Sequence, residues 1–389
     1  MKKVLDTEKI PIKLWLDDIE EGAMLQVKNI ANLPFAFHHV AIMPDCHQGY
    51  GMPIGGALAT KEVVIPNAVG VDIGCGMCAM KTSLKEINPV QLRGIMGRVR
   101  EKIPLGFKHY KKAQPVASMP GTGVPVQNGV VEREYEAAMK QIGTLGGGNH
   151  FIEIQAGSDG HIWIMVHSGS RNIGLKVAEY YNKKARKLNE RWHSEIPSSL
   201  QLAFLPLDSS EAGDYLSEMQ YCVDFAFASR KKMMENIVTS FYETINEPFD
   251  EMQFINIAHN YARMENHFGK NVMVHRKGVT SARAGEIGII PGSQGTRSYI
   301  VLGKGNPDSF HSCSHGAGRI LSRKKAQGNL DLQSEIAQLD KEGIIHSIRH
   351  RKDLDEAPGA YKDINVVMEN QSDLVEILVE LSPLAVIKG

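Results

Sequence analysis

The sequence predicts an α+β fold in a single large domain, residues 1–389. Three observations carry that prediction. Short Val- and Ile-rich runs bounded by Gly, Asp or Ser alternate with long segments of helical period. No internal repeat, low-complexity tract or Pro/Ser-rich linker divides the chain. The glycines gather at 49–56, 70–76, 143–148, 285–295 and 303–318, each cluster beside His, Cys or Asp. A chain of 389 residues can bury one large core or two ordinary ones, and the missing linker favours one.

Taken in order, the runs 39–43, 162–167, 272–275 and 298–302 have the composition of buried strands. A helix is predicted over 175–192; its Lys183, Lys184, Arg186, Lys187 and Arg191 are interspersed with Glu179 and Glu190. That pattern reads as a solvated charged face, the alternative being a nucleic-acid surface. From 211 to 245, Leu216, Met219, Val223, Phe227, Met234, Ile237 and Phe241 recur at helical spacing, giving one or two long helices. Val375, Ile377, Val379 and Leu381 alternate with Glu376, Leu378 and Glu380, which is strand period, so a terminal strand should tie Ile387-Lys388-Gly389 down. The stretch 85–131 holds few motif residues and is expected to carry substrate preference.

Hydrophobic residues make up 42% and charged residues 23%, ordinary for a globular chain, but 37 Gly exceed the roughly 27 expected. Lys plus Arg equals Asp plus Glu at 44 each, so a polyanionic partner would need a local basic patch. Cys46, Cys75, Cys78, Cys222 and Cys313 form an odd set, and the Cys75/Cys78 pair has no second pair to complete a zinc knuckle. A reducing, cytoplasmic setting fits. The opening Met-Lys-Lys-Val-Leu-Asp has no apolar signal core, and no apolar stretch approaches the roughly 18 residues of a membrane span.

The chemistry concentrates in the glycine clusters. In Val69-Gly70-Val71-Asp72-Ile73-Gly74-Cys75-Gly76, Asp72 and Cys75 could converge on one ion, although Cys75 could equally be a small buried apolar residue. His150 follows three glycines, and His167 ends a strand that flows into Ser168-Gly169-Ser170-Arg171, where a helix N-terminus and Arg171 suit phosphate. His259-Asn260-Tyr261, His275-Arg276-Lys277-Gly278 and Pro291-Gly292-Ser293-Gln294-Gly295-Thr296 follow. Each lone His has a structural reading, but together with Asp72 and Cys75 three imidazoles, a thiolate and a carboxylate suffice for two neighbouring metal ions. Cys and His favour Zn²⁺, with Mn²⁺ second. In His311-Ser312-Cys313-Ser314-His315-Gly316-Ala317-Gly318-Arg319, a helix starting at His315 would set Arg319 and Arg323 on its face, leaving a histidine among cations able to attack phosphorus.

Met43-Pro44-Asp45-Cys46-His47-Gln48-Gly49, the Asp72 and Cys75 loop, Gly147-Gly148-Asn149-His150-Phe151, Val166-His167-Ser168-Gly169-Ser170-Arg171, His275-Arg276-Lys277-Gly278, the His315 motif and the closing Ala385-Val386-Ile387-Lys388-Gly389 together resemble the RtcB-type RNA-splicing ligases. The resemblance runs from near residue 40 to the last residue. It implies an RtcB-type α+β fold, β-sheets with flanking helices, and two Mn²⁺ ions held by Asp72, Cys75, His150, His167 and His259, with Cys75 bridging. Cys78 matches no ligand. It further implies His315 as the guanylylated nucleophile, oriented by Asp45. GTP would be met by Asn149 on phosphate, Glu153 and Lys388 on guanine or ribose, Phe151, Ser293 and Ser298 lining the pocket, and Tyr361 stacking. Gln294 and Thr296 depart from the smaller or less polar residues expected beside it. Arg171, Lys277, Arg319 and Arg323 match positions that hold RNA phosphates.

The implied activity joins an RNA 3′-phosphate or 2′,3′-cyclic phosphate to a 5′-hydroxyl with GTP and Mn²⁺, in splicing or repair, with room for an accessory activator and no membrane partner. Two other readings stand beside it. A two-metal phosphoesterase or nuclease acting on RNA would use the same cluster without His315 as nucleophile, and an inactive RNA-binding module would have no use for so many convergent polar groups.

Overall fold

Residues 1–389 are described by a computed structural model. Two antiparallel-rich sheets organise it. The six-stranded sheet runs in the order Lys3–Leu5, Ile12–Leu14, Ala36–His47, Ile54–Thr60, Lys270–Lys277, Asn260–His267, with one parallel pairing, between the second and third of these strands. The seven-stranded sheet, antiparallel throughout, runs Glu251–Ala258, Gly76–Thr82, Ile162–Ser168, Phe151–Gly157, Val375–Lys388, Ser298–Gly303, Ile287–Ile290. All four strands expected from apolar runs lie inside these elements. His259 is the one residue between the last strand position of 251–258, in the larger sheet, and the first of 260–267, in the smaller, so the chain crosses between sheets there.

The segment expected to hold one or two helices is a single helix, Ser210–Tyr242, about 50 Å long at 1.5 Å per residue. Ser209 caps it by accepting from the Ala212 amide at 3.2 Å. Tyr215, Cys222, Phe225, Met233, Ile237 and Phe241 are buried along it. At its middle the fully buried Arg230 donates to the Gly74 and Ser168 carbonyls at 2.9 and 2.8 Å and to Asn256 Oδ1 at 2.7 Å. Three strand-end segments are thereby tied to one guanidinium. The other predicted helix spans Arg171–Arg191 and exposes Lys183, Arg186, Lys187 and Arg191, while the Lys184 ammonium lies 5.9 Å from the Tyr180 ring centre.

Two expectations change. The terminal strand is long, Val375–Lys388, but its alternation is broken: Ile300 faces Val379 and Val301 faces Ile377, so Leu378 is bulged out, and Ile377 and Leu378 are each 44% exposed. His315 does not start a helix. It follows the short strand Ser312–Ser314, which pairs with Val279–Ser281, and the next helix begins only at Arg323. Gly318 explains the difference, since it has φ +75° and passes so close to Asp45 that a Cβ there would lie 2.3 Å from the Asp45 carbonyl oxygen. All five cysteines are free and buried, and no helix is long and apolar enough to cross a membrane.

Candidate active site

The loop 69–75 delivers Asp72 and Cys75 to the end of the strand Gly76–Thr82. Gly74, at φ +74°, lets it press on the long helix, where a Cβ would lie 2.8 Å from Val223 Cα. Cys75 Sγ is then 3.3 Å from His167 Nε2 and 3.5 Å from His150 Nε2, and Asp72 Oδ2 is 3.1 Å from His150 Nε2. Two groups result, Cys75 with His167 and His259, and Asp72 with Cys75 and His150, the ligand atoms of each lying within 4.8 Å of one another. Cys75 belongs to both.

The imidazoles are oriented from behind. His150 Nδ1 meets the Leu145 carbonyl and His167 Nδ1 the Asn149 carbonyl, both at 3.0 Å, which puts the proton on Nδ1 and turns each Nε2 lone pair toward Cys75. His259 Nδ1 is buried with no hydrogen-bond partner. Burial and the neighbouring histidines hold His167 and His259 well below the ordinary imidazole range, so both are neutral donors. Burial, then Asp72, pushes the Cys75 thiol well up, so a thiolate there needs cationic charge against it. Three imidazoles, a thiol and a carboxylate, one nitrogen left without a partner, are a donor set that fits two divalent cations sharing Cys75.

Asp45 comes from the other sheet, on the strand Ala36–His47. Fully buried, it accepts on Oδ2 from His315 Nδ1 at 2.6 Å, the His315 amide at 3.0 Å and the Gly316 amide at 3.3 Å. Burial alone would raise its pKa, but the charge and hydrogen bond of His315 prevail and keep it below the usual carboxylate value. With Nδ1 engaged by Asp45, the His315 ring lies 4.8 Å, centre to centre, from that of His259. Lys277 is next along: a Cβ on Gly278 would lie 3.1 Å from the His315 ring. The Lys277 ammonium donates to the Tyr50 and Asn67 carbonyls at 2.6 and 3.1 Å, and burial pushes it down to about 7.

On the opposite side the terminal strand sets Lys388 against Phe151, its ammonium 5.8 Å from the ring centre, and Val386 against Glu153. Burial raises Glu153 to about 8, with Gln155 and Lys388 opposing. Gln155 also donates to Ser298 Oγ at 3.2 Å, and Ser298 accepts from the Gly292 amide beside the buried Ser293. Arg319, Arg323 and Tyr361 meet at one buried carboxylate, Glu356: Arg319 Nη1 at 2.6 Å, Arg323 Nε at 2.8 Å, and the Tyr361 hydroxyl. Arg323 also reaches the loop before Asn149, where a Cβ on Gly148 would lie 2.5 Å from its guanidinium. Arg171, at φ +60°, donates to Thr144 Oγ1 at 3.0 Å and to the Gly106 carbonyl at 2.8 Å, against Gly146 and so beside His150. The expected phosphate holders thus divide, with Lys277 on the His315 side and Arg319 and Arg323 around Glu356.

A family model described as tRNA-splicing ligase RtcB matches residues 26–126 and 118–389. The chain belongs to the RtcB family. It is 40% identical to the RNA-splicing ligase RtcB of Escherichia coli strain K12, with 100% of this chain and 99% of that protein covered. The tRNA-splicing ligase RtcB of Thermococcus kodakarensis is 31% identical over 98% of this chain and 95% of its own, and the RNA-splicing ligase RtcB of Mycobacterium bovis 32% over 94% and 100%.

Within this RtcB framework two supporting residues escaped sequence reasoning. Glu356 gathers the arginines, and Gln371 accepts from the Ser314 amide at 2.9 Å and so fixes the strand before His315. Neither stands in a glycine cluster, and each lies in an ordinary polar run, 351–356 and 369–373, so no local signal singles it out. Gln294, whose side chain donates to the Glu356 carbonyl at 2.7 Å, belongs to the same scaffold. Cys78 faces the core, fully buried, its thiol 3.8 Å from the Arg230 carbonyl. Cys78→Ser is therefore expected to retain bound metal by elemental analysis and to cost only about 1–2 kcal/mol in denaturant unfolding. Loss of metal in that variant would put the wrong cysteine in the site.

Proposed function

We propose that this RtcB-family chain is a GTP- and Mn²⁺-dependent RNA ligase that joins an RNA 3′-phosphate or 2′,3′-cyclic phosphate to a 5′-hydroxyl through a guanylylated His315. The observation that carries the reading is the Asp45–His315 pair: the carboxylate accepts hydrogen bonds from Nδ1 and from two backbone amides, so Nε2 alone is offered, next to the His259 ring of the candidate metal cluster. A cytoplasmic setting keeps its five free cysteines reduced.

His315 Nε2 attacks the α-phosphorus of GTP and pyrophosphate leaves, while Asp45 holds the Nδ1 proton and offsets the positive charge gained by the ring. An oxygen of the RNA 3′-phosphate then attacks the phosphorus of the phosphoramidate, which frees His315 and forms a 3′-guanylylated end. The RNA 5′-hydroxyl attacks the 3′-phosphorus, GMP leaves, and a 3′,5′-phosphodiester remains. A 2′,3′-cyclic end is first opened by water. Asp72, Cys75, His150, His167 and His259 would hold two Mn²⁺ ions, which neutralise charge on the transferring phosphorus and lower the pKa of the attacking oxygen. Lys277, Arg171, Arg319 and Arg323 position RNA phosphates. Asn149 meets a nucleotide phosphate, Phe151, Ser293 and Ser298 line the guanosine pocket, Tyr361 stacks on the base, and Glu153 and Lys388 supply its polar contacts.

The direct test is the intact mass of the protein after incubation with GTP and Mn²⁺. One added GMP, absent without Mn²⁺, is expected. A phosphoesterase or nuclease built on the same cluster would leave the mass unchanged. Lys388→Met tests the pocket: the strand pairing around it survives, and half-saturation of GMP labelling should move to about tenfold higher GTP. An unaltered GTP dependence would remove Lys388 from the nucleotide site.

A further inference from the structure

We propose that Phe107 is a stacking platform for a base of single-stranded RNA at the mouth of the active site, with Lys108, Lys111 and Lys112 holding the adjoining phosphates. The proposal rests on the RNA-ligase reading and names where that substrate lies. Phe107 is 95% exposed, the most exposed of the large hydrophobic side chains. It is nonetheless held on a pinned loop. The Gly106 amide donates to the Gly146 carbonyl at 3.0 Å, and the Leu145 amide donates to the Pro104 carbonyl at 3.0 Å. Beyond the ring, the Tyr110 amide donates to the Lys140 carbonyl at 3.0 Å, and the Tyr110 hydroxyl lies 3.0 and 3.2 Å from the Lys102 and Gly143 carbonyls.

These anchors tie Phe107 to the catalytic centre. Gly106 bonds the loop that ends in His150, and its carbonyl takes the Arg171 guanidinium at 2.8 Å. The surroundings select a polyanion with flat apolar faces. No Asp or Glu occurs between Glu101 and Glu132, whereas Lys102, Lys108, Lys111 and Lys112 do. Of these four only Lys102 is in an ion pair, with Glu243 at 2.6 Å, and the other three are exposed. In a chain whose charges sum to zero, this is the local basic patch that a nucleic acid needs. An aromatic ring held open among lysines is how proteins grip single strands without reading their sequence, each base offering a π-face.

The test compares the full chain carrying Phe107→Ala, Phe107→Leu or Phe107→Trp for binding of a fluorescent single-stranded RNA oligonucleotide with a 3′-phosphate. Alanine and leucine are expected to weaken binding about tenfold or more, although leucine keeps the apolar bulk, and tryptophan to stay within about twofold of the parent. Indole emission in Phe107→Trp should be quenched by RNA beyond the change shown by the parent chain. Parent-like affinity in the alanine variant, or no additional quenching in the tryptophan variant, overturns the proposal and leaves the ring to a protein partner. GMP labelling of the parent chain without RNA reports the ligase reading separately. A chain that labels and joins RNA but ignores position 107 refutes the platform alone; one that neither labels nor joins refutes both.

Discussion

His315→Ala is expected to take no GMP from GTP and to join RNA ends bearing a 3′-phosphate more than about a thousandfold more slowly than the parent. It should still seal RNA already carrying a 3′-guanylylated end, because that last step needs aligned ends and compensated charge rather than an imidazole. The geometry supports the distinction. The His315 ring is held by Asp45, which also accepts from the His315 and Gly316 amides, whereas the His150 and His167 rings are held by the Leu145 and Asn149 carbonyls, so removing the His315 ring leaves their anchors in place. Mass measurement and a gel assay with both substrates decide it. Retained GTP-dependent joining would end the covalent mechanism, and loss of sealing with metal still bound would give His315 a second duty.

Cys75→Ala should fail with both substrates, by more than about a thousandfold, and should lose metal. Its sulfur is the atom common to both ligand groups, so its removal takes a donor from each. His167→Ala should share the double failure through the group it forms with Cys75 and His259. Elemental analysis beside the two assays separates the causes. Full metal content with near-normal sealing in Cys75→Ala would exclude the shared-thiolate arrangement.

How far the sequence could be read follows from the range of the forces involved. Val- and Ile-rich runs and helical spacing are local, and they marked strands such as Ile162–Ser168 and the helix Ser210–Tyr242. The glycine clusters likewise marked loops where Asp72, Cys75 and His150 converge, since close backbone approach demands glycine nearby in sequence. Failures came where a distant residue decides. The segment after His315 has helical arginine spacing, but Gly318 must fit against Asp45, and that contact between residues 45 and 318 is invisible locally. Glu356 resembles any surface glutamate until the fold sets Arg319, Arg323 and Tyr361 around it. The bulge at Leu378 depends on register with the neighbouring strand, which alternation cannot specify.

The chain passes from one sheet to the other through His259, so the proposed site lies on the line between the two sheets. Asp45 and Lys277 belong to one sheet, His167 to the other, and His259 to the join. A partial opening that parts the sheets by an ångström or two would pull Asp45, the support of the proposed nucleophile, away from the candidate metal donors on the larger sheet. Such openings require less free energy than complete unfolding. Titrated with urea, GTP-dependent labelling should therefore be lost at a lower concentration than that at which the helices melt, and added Mn²⁺, by tying His259 at the join to the donors of the larger sheet, should draw the two midpoints together.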